Sequence, residues 1–195
     1  MSAPARIEQA TADSRLLVDA ARLHAQCLTS TLTSLRGANT IAGLYRYLVA
    51  HGHNVSLAIR NEQVVGGIVT LREKKRHSAM FMLSYRPWSW LSVLRKLGLR
   101  NLTRQLQDLF ALQQRARELP RHDYILALYV AESMRHSGIA RRLLKIVQDD
   151  ARARGVGLVV DTLLDNSAAR RLYATSSFSE HGETDLSVIL NWDAE

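Results

Sequence analysis

The chain has 195 residues, 47% of them hydrophobic and 23% charged, with a formal net charge of +8 and one cysteine. That single cysteine, Cys27, excludes an intrachain disulfide framework, and a chain of this length can bury a core without one. No stretch reaches the roughly 18 to 20 uninterrupted apolar residues of a membrane span. Met1–Ala10 lacks the apolar core of a signal peptide, so a cytoplasmic protein is expected.

The predicted elements follow in chain order. Ile7 and Gln9 alternate in a short first strand. Thr11 or Asp13 caps a helix with Leu16, Ala20, Leu23 and Cys27 on one face, which makes Cys27 a buried structural thiol. Asn39 or Thr40 caps a second helix. It turns Ile41, Leu44 and Leu48 inward, presents a basic-aromatic edge at Tyr45, Arg46 and Tyr47, and stops at His51–His53. Val55, Leu57 and Ile59 alternate in the next strand, Asn61–Glu62 forms a tight turn, and Gln63–Thr70 is a more central strand. Gly66 and Gly67 weaken that strand unless something approaches its backbone closely.

Residues 71–121 differ from the rest. They hold twelve Lys/Arg against three acids (Glu73, Asp108 and Glu118), a net charge of +9 that leaves about −1 elsewhere. Phe81, Met82, Tyr85, Trp88 and Trp90 are interleaved with the charges. Pro87 and Pro120 bracket a helical region with apolar positions at Leu91, Leu94, Leu97, Leu102, Leu106, Leu109, Phe110 and Leu112, and Gly98 is expected to divide it into two helices.

Tyr124–Val130 then reads as a strand buried on both faces, followed by a short loop, Ala131–Met134, and a helix from Gly138 to about Arg154. Leu158–Thr162 is another buried strand, Asn166–Ser176 a short helix, and Phe178–His181 with Thr184–Leu190 a closing hairpin around His181–Gly182 or Gly182–Glu183. The order is β α α β β, inserted helices, β α β α β β. It predicts an α/β fold: one mixed sheet with at least one parallel crossover and helices on both faces. Residues 1–195 are read as a single domain with a basic helical insertion at about 71–121.

The most informative stretch runs from Tyr124 to Leu144. A buried strand delivers Arg135-His136-Ser137-Gly138-Ile139-Ala140 to a helix start, where free backbone N–H groups and the helix dipole favour an anion. Gly138 lets the backbone approach a ligand, Ala140 keeps the first turn thin, and Arg135 adds positive charge at the mouth. A pyrophosphate suits such a site.

Arg135-x-x-Gly138-x-Ala140 after a buried strand resembles the Arg/Gln-x-x-Gly-x-Gly/Ala signature of the GNAT superfamily of N-acetyltransferases. After the next strand, Asn166-Ser-Ala-Ala169-Arg-Arg-Leu172-Tyr173 is similar to that family's Asn-x-x-Ala-x-x-Leu-Tyr segment. Phe178 follows in register, with Ser177 where the family has Gly. The resemblance is clear over residues 124–181, plausible from element order over 6–70, and absent as a motif over 71–121.

The resemblance implies acetyl-CoA as the cofactor. It implies that the pantetheine arm lies along the backbone of Leu128, Tyr129 and Val130, in a gap where that strand splays from the next, and that a backbone N–H there polarises the thioester carbonyl. The N–H groups of Arg135, His136, Ser137, Gly138, Ile139, Ala140 and Arg141 would hold the pyrophosphate. Asn166 would contact the cofactor arm, and Tyr173 would stand near the sulfur and protonate the departing thiolate. A thiol pKa near 8.5 and a phenol pKa near 10 are compatible with that role. No metal is expected. Where many relatives carry a Glu base, this chain has Tyr124, preceded by His122 and Asp123. Glu132 and Asp161 are further candidates, and a water relay or no dedicated base is equally tenable.

The acceptor implied is a primary amine, of a small molecule such as an amino sugar or of a protein or peptide. A catalytically silent acyl-CoA-binding module is the alternative from a different class. For residues 71–121 three readings fit: a flap exposing a charged face, a lid for an anionic acceptor, and a peripheral dock on an anionic membrane. No nucleic-acid recognition motif accompanies the charge.

Overall fold

The computed structural model describes residues 4–29, 32–72, 90–116, 118–119 and 121–194. The readings placed on Phe81, Met82, Tyr85 and Trp88 lie outside them.

Seven strands form one sheet: β1 (Arg6–Gln9), β2 (Asn54–Arg60), β3 (Gln63–Leu71), β4 (His122–Val130), β5 (Gly157–Leu163), β6 (Ser179–Glu183) and β7 (Ser187–Trp192). Their order is β1-β2-β3-β4-β5-β7-β6. Among the described residues only the β4–β5 pair is parallel. Its crossover is a helix of 15 residues, Ile139–Ala153. The mixed sheet expected from element order is therefore present.

One face of the sheet is covered by α1 (Leu16–Cys27) and α3 (Ala38–Ala50), with a short α2 (Leu32–Leu35) between them. The other is covered by α5 (Ile139–Ala153) and α6 (Ser167–Ala174). The inserted segment supplies α4 (Trp90–Ala116), whose Leu112 packs on Val159 of β5 and Ile189 of β7. Tyr124 touches both this patch and the α1–α3 core, so α4 shares the sheet face of α1 and α3.

Several local expectations change. The buried stripe of α1 is Leu17, Ala20, Ala21 and His24, one position round from the one expected, and Cys27 is only half-buried. Tyr45 is fully buried and not part of an exposed edge, because Ile41, Leu44, Tyr45 and Leu48 share one helical face at i, i+3, i+4 and i+7. Arg15 and Gly37 hold the N-cap positions of α1 and α3, and neither caps with its side chain. Gly98 lies inside one continuous helix of 27 residues. A mid-helix Gly costs only about 1 kcal/mol against Ala, which burial of Val93 and Leu112 on the same helix outweighs. The closing hairpin turns at residues 184–186, just past the His181–Glu183 stretch expected to turn. Asn61 and Glu62 do form the tight turn, at φ +49° and +64°, the left-handed pair that matches strand twist.

The paired glycines of β3 have a specific cause. A Cβ on Gly67 would sit 2.6 Å from the Tyr129 hydroxyl, and one on Gly66 would sit 3.2 Å from Ile139 of α5 and 3.0 Å from the Tyr129 carbonyl. The two glycines let a tyrosine ring and a helix approach the sheet from opposite faces.

Beneath that ring His24 is buried, its Nδ1 2.5 Å from the Tyr45 hydroxyl and its ring centroid 5.3 Å from that of Tyr129. Burial lowers its pKa from 6.5 to about 4. The folded state therefore binds this proton less tightly than the unfolded chain. The resulting stability is complete above pH 6.5 and is lost as pH falls toward 4. Urea unfolding at pH 7 and at pH 5 should differ by about 2 kcal/mol from this group. His24→Gln should remove most of that difference. An unchanged slope in the variant would assign the acid sensitivity to other groups.

Candidate active site

β4 and β5 pair only at His122, Asp123 and Tyr124, opposite Gly157, Leu158 and Val159. Beyond Tyr124 the two strands part. β4 continues to Val130 against β3, while β5 continues to Leu163 against β7. Between them is a gap in the sheet, and alternate backbone groups of Ile125–Val130 face it because a strand presents them to either side in turn.

The register of β3 on β4 shifts here: Val69 pairs with Ala127 but Thr70 with Ile125, so Leu126 is an extra, bulged residue. The faces confirm the slip. Ile125 joins the core under α5, whereas Ala127 and Tyr129 join the core under α1 and α3. Without a bulge all three would share a face. The bulge releases backbone groups at the point where the gap opens.

At its far end β4 runs into a 3₁₀ turn, Glu132–Met134, and then into α5. Gly138 is the N-cap of α5 at φ +80° and ψ 0°, a left-handed conformation that requires glycine or a close substitute. A Cβ there would meet nothing within 4 Å, so conformation rather than crowding demands the residue. No side chain caps the helix. Its first hydrogen bond to the cap runs from Arg142 N–H to Gly138 C=O at 3.0 Å, which leaves the N–H groups of Ile139, Ala140 and Arg141 without an intrahelical acceptor.

The loop is held by the Ser137 hydroxyl, which donates to the Met134 carbonyl at 2.5 Å. Arg135, His136 and Ser137 are exposed around the helix start. The Arg135 N–H is spent on the Glu132 carbonyl at 3.2 Å, so that amide is not free for a ligand. Of the strand positions, the Val130 carbonyl accepts the Cys27 thiol at 3.4 Å, and the Tyr129 side chain is buried behind the sheet.

At the near end of the gap Tyr124 and Asp161 meet, and Tyr173 is close enough to feel the Asp161 charge. The Tyr124 hydroxyl of β4 donates to the Asp161 carboxylate of β5. Tyr173 of α6 is buried, 5.2 Å from Phe178 between ring centroids. Burial raises its pKa, and the Asp161 charge raises it further. Burial likewise pushes Tyr124 well above the ordinary phenol value, with the Asp161 charge adding to it. Burial also raises the Asp161 carboxyl, against the lowering effect of the Tyr124 hydrogen bond. Two phenols thus stay protonated as donors, and the group with raised basicity is the Asp161 carboxylate, bonded to Tyr124 and acting on Tyr173 through its charge.

The other base candidates sit elsewhere. Asp123 is buried and paired with Arg154, which also holds Asp150 at 2.7 Å. Glu132 lies past the opposite end of β4, its side chain 89% exposed and 3.8 Å from Arg135. Asn166 caps α6, its carboxamide oxygen accepting from Ala169 N–H at 3.1 Å, and its NH₂ group stays available. Ser177 stands at φ +64°, which explains why a glycine is the ordinary occupant of that position.

A residue that sequence reasoning missed is Asp108 of α4. Its carboxylate accepts from Leu186 N–H at 3.3 Å and from the Ser187 hydroxyl at 3.0 Å, and its charge adds to the raised pKa of Asp161. It lines a cavity of about 270 Å³ with Arg104, Gln107, Ala111 and residues 184–186. The available signal was that Asp108 is one of only three acids in a basic segment, and the one on its apolar-patterned helix.

Residues 43–178 match the family model "Acetyltransferase (GNAT) family". An acetyltransferase of Agrobacterium fabrum is 40% identical over 60 residues, 30% of this chain, and the match spans 42% of that relative's length. Among solved structures, the ribosomal-protein-alanine N-acetyltransferase of Brucella melitensis superposes with a TM-score of 0.62 at 19% identity, covering 96% of this chain and 99% of that one. The NatC complex bound to Gag peptide and CoA gives a TM-score of 0.64 at 15% identity, covering 98% and 99%. At such identities the structural likenesses speak for the fold. No described helix is long and apolar enough to cross a membrane. The family match reaches from α3 through α6 and takes in the split strands, the α5 start and Tyr173, and the chain accordingly belongs to the GNAT acetyltransferase family, whose members are acetyl-CoA-dependent acyltransferases.

Proposed function

We propose that residues 1–195 work as one domain that transfers an acetyl group from acetyl-CoA to the primary amine of a small molecule, with Asp161 as the base and Tyr173 as the donor to the leaving sulfur. The observation that carries this reading is the gap between β4 and β5, which opens at the Tyr124–Asp161 pair and leads along β4 to the uncapped start of α5. Its two ends suit the two ends of the cofactor. The strand edge at Leu128–Val130 is an extended row of backbone groups for an amide-bearing arm. The N–H groups of Gly138–Arg141, with Arg135 beside them, suit a diphosphate. The free NH₂ of Asn166 would meet the arm from α6.

When bound, acetyl-CoA supplies an acetyl thioester. A backbone N–H released by the bulge at Leu126 would polarise its carbonyl oxygen. Tyr124 orients Asp161 by its hydrogen bond. As the acceptor nitrogen bonds to carbon its proton becomes acidic, and Asp161 receives it. Tyr173 would donate to the sulfur as the C–S bond breaks, and would regain its proton from solvent as Asp161 releases the one it took. The raised pKa of Tyr173 keeps it protonated until that moment.

A cleft of about 270 Å³ between α4 and the β6–β7 turn supports a small acceptor, and Arg104 in its wall supports one that carries an anionic group, as an amino sugar phosphate does. The test is an acetyl-CoA turnover screen read by thiol release across amino sugars and their phosphates, nucleotide-linked amino sugars, polyamines, amino acids and peptides. Turnover is expected to be highest for a small amine bearing one anionic group. Turnover confined to peptides would overturn the acceptor reading, and cofactor binding without turnover of any amine would mark a silent module.

A further inference from the structure

The inserted helix α4 reaches the site through Leu112 and Asp108. Leu112 anchors the helix on Val159 and Ile189, and one turn earlier Asp108 binds the backbone and side chain at the start of β7. Ser187 pairs with Leu163 and Ile189 with Asp161, so this clamp lies two strand positions from the Asp161 row. Asp161 shares the α4-facing side of β5 with Val159, two residues away.

We propose that Asp108 is a positioning residue for acetyl transfer: it clamps α4 to the β6–β7 turn, lines the cleft read as the acceptor site, and sets its carboxylate near Asp161. The proposal rests on the reading of Asp161 as the base. The charged and titratable groups acting on Asp161 among the described residues are Tyr124 from β4, Tyr173 from α6 and Asp108 from α4. Tyr124 donates a hydrogen bond and lowers the Asp161 pKa, while Asp108 repels the carboxylate and raises it. Asp108 thus makes Asp161 a stronger base than its hydrogen bond alone would allow. A fold built from residues 1–70 and 122–195 alone would have neither the cavity wall nor this charge.

The test uses two variants. Asp108→Asn removes the charge and keeps an oxygen for the clamp. Ser187→Ala removes one clamp bond and keeps the charge. In protein labelled with ¹³C at the aspartate carboxyl carbons, the Asp161 signal, assigned by its loss in Asp161→Asn, should titrate at lower pH in Asp108→Asn and unchanged in Ser187→Ala. The acid limb of kcat/KM, measured with the best acceptor of the screen, should move to lower pH in the first variant only. Ser187→Ala should raise the acceptor KM about fivefold, the effect of one lost hydrogen bond. A merely structural Asp108 would lower the melting temperature and leave the Asp161 titration in place, and that result would overturn the proposal. If Asp161→Asn is fully active, the base reading itself fails. If Asp161→Asn is inactive and Asp108→Asn titrates like the parent, only the role of Asp108 fails.

Discussion

Asp161→Asn is expected to lower kcat by roughly 10²- to 10⁴-fold, the span covered by a general base. It should do so without weakening acetyl-CoA binding, because the α5 start lies at the other end of β4. The Asn still accepts a hydrogen bond from Tyr124, so the fold should hold. What is lost is the capacity to take a proton, and with it the acid limb of the pH–rate profile. Tyr173→Phe is the companion measurement. It should cost about 10²-fold in kcat and leave the acid limb of the profile in place, since the donor rather than the acceptor has gone. Steady-state kinetics of the two folded variants on one acceptor decide between them. Full activity in Asp161→Asn would move the base to a water relay, and full activity in Tyr173→Phe would return that tyrosine to the core it shares with Phe178.

The second large effect belongs to the helix start. Acetyl-CoA at about 1,000 times its Kd should stabilise the folded protein by about 4 kcal/mol, which for a chain of this size is a rise in Tm of roughly 8 to 16 °C. Gly138→Asp should abolish the rise. It places an L-residue at φ +80° and a carboxylate among the N–H groups that face the diphosphate. Gly138→Asn separates the two causes. Asparagine tolerates the left-handed region and carries no charge, so part of the rise should return. If differential scanning shows the full rise in the Asp variant, the cofactor's phosphates lie elsewhere.

Both expectations began in residues that could be read without a structure. Arg135-x-x-Gly138-x-Ala140 and Asn166 to Tyr173 are local patterns: each lies within one loop and one helix turn, so spacing alone places their atoms. The tight turn at Asn61–Glu62 is local in the same way, and the adjacent glycines of β3 announced a close approach without naming what approaches. Tyr129 and Ile139 answer that only in three dimensions.

What tertiary structure decided is everything that depends on pairing across the sheet. The helical period of α3 permits Tyr45 to be inside or outside, and the choice fell to His24 on another helix. Gly98 reads as a break until Val93 and Leu112 are buried on either side of it. The base could not be chosen among His122, Asp123, Tyr124, Glu132 and Asp161 from order along the chain. All five lie within or beside one strand and its neighbour, and what distinguishes them is the partner each meets: Arg154 for Asp123, Arg135 for Glu132, Tyr124 for Asp161. Asp108 stands 53 positions before Asp161, in a segment whose charge argued for the opposite sign. A pKa is set by burial and by charges in space, and the chain's periodicities carry no record of which distant carboxylate a fold will bring behind another.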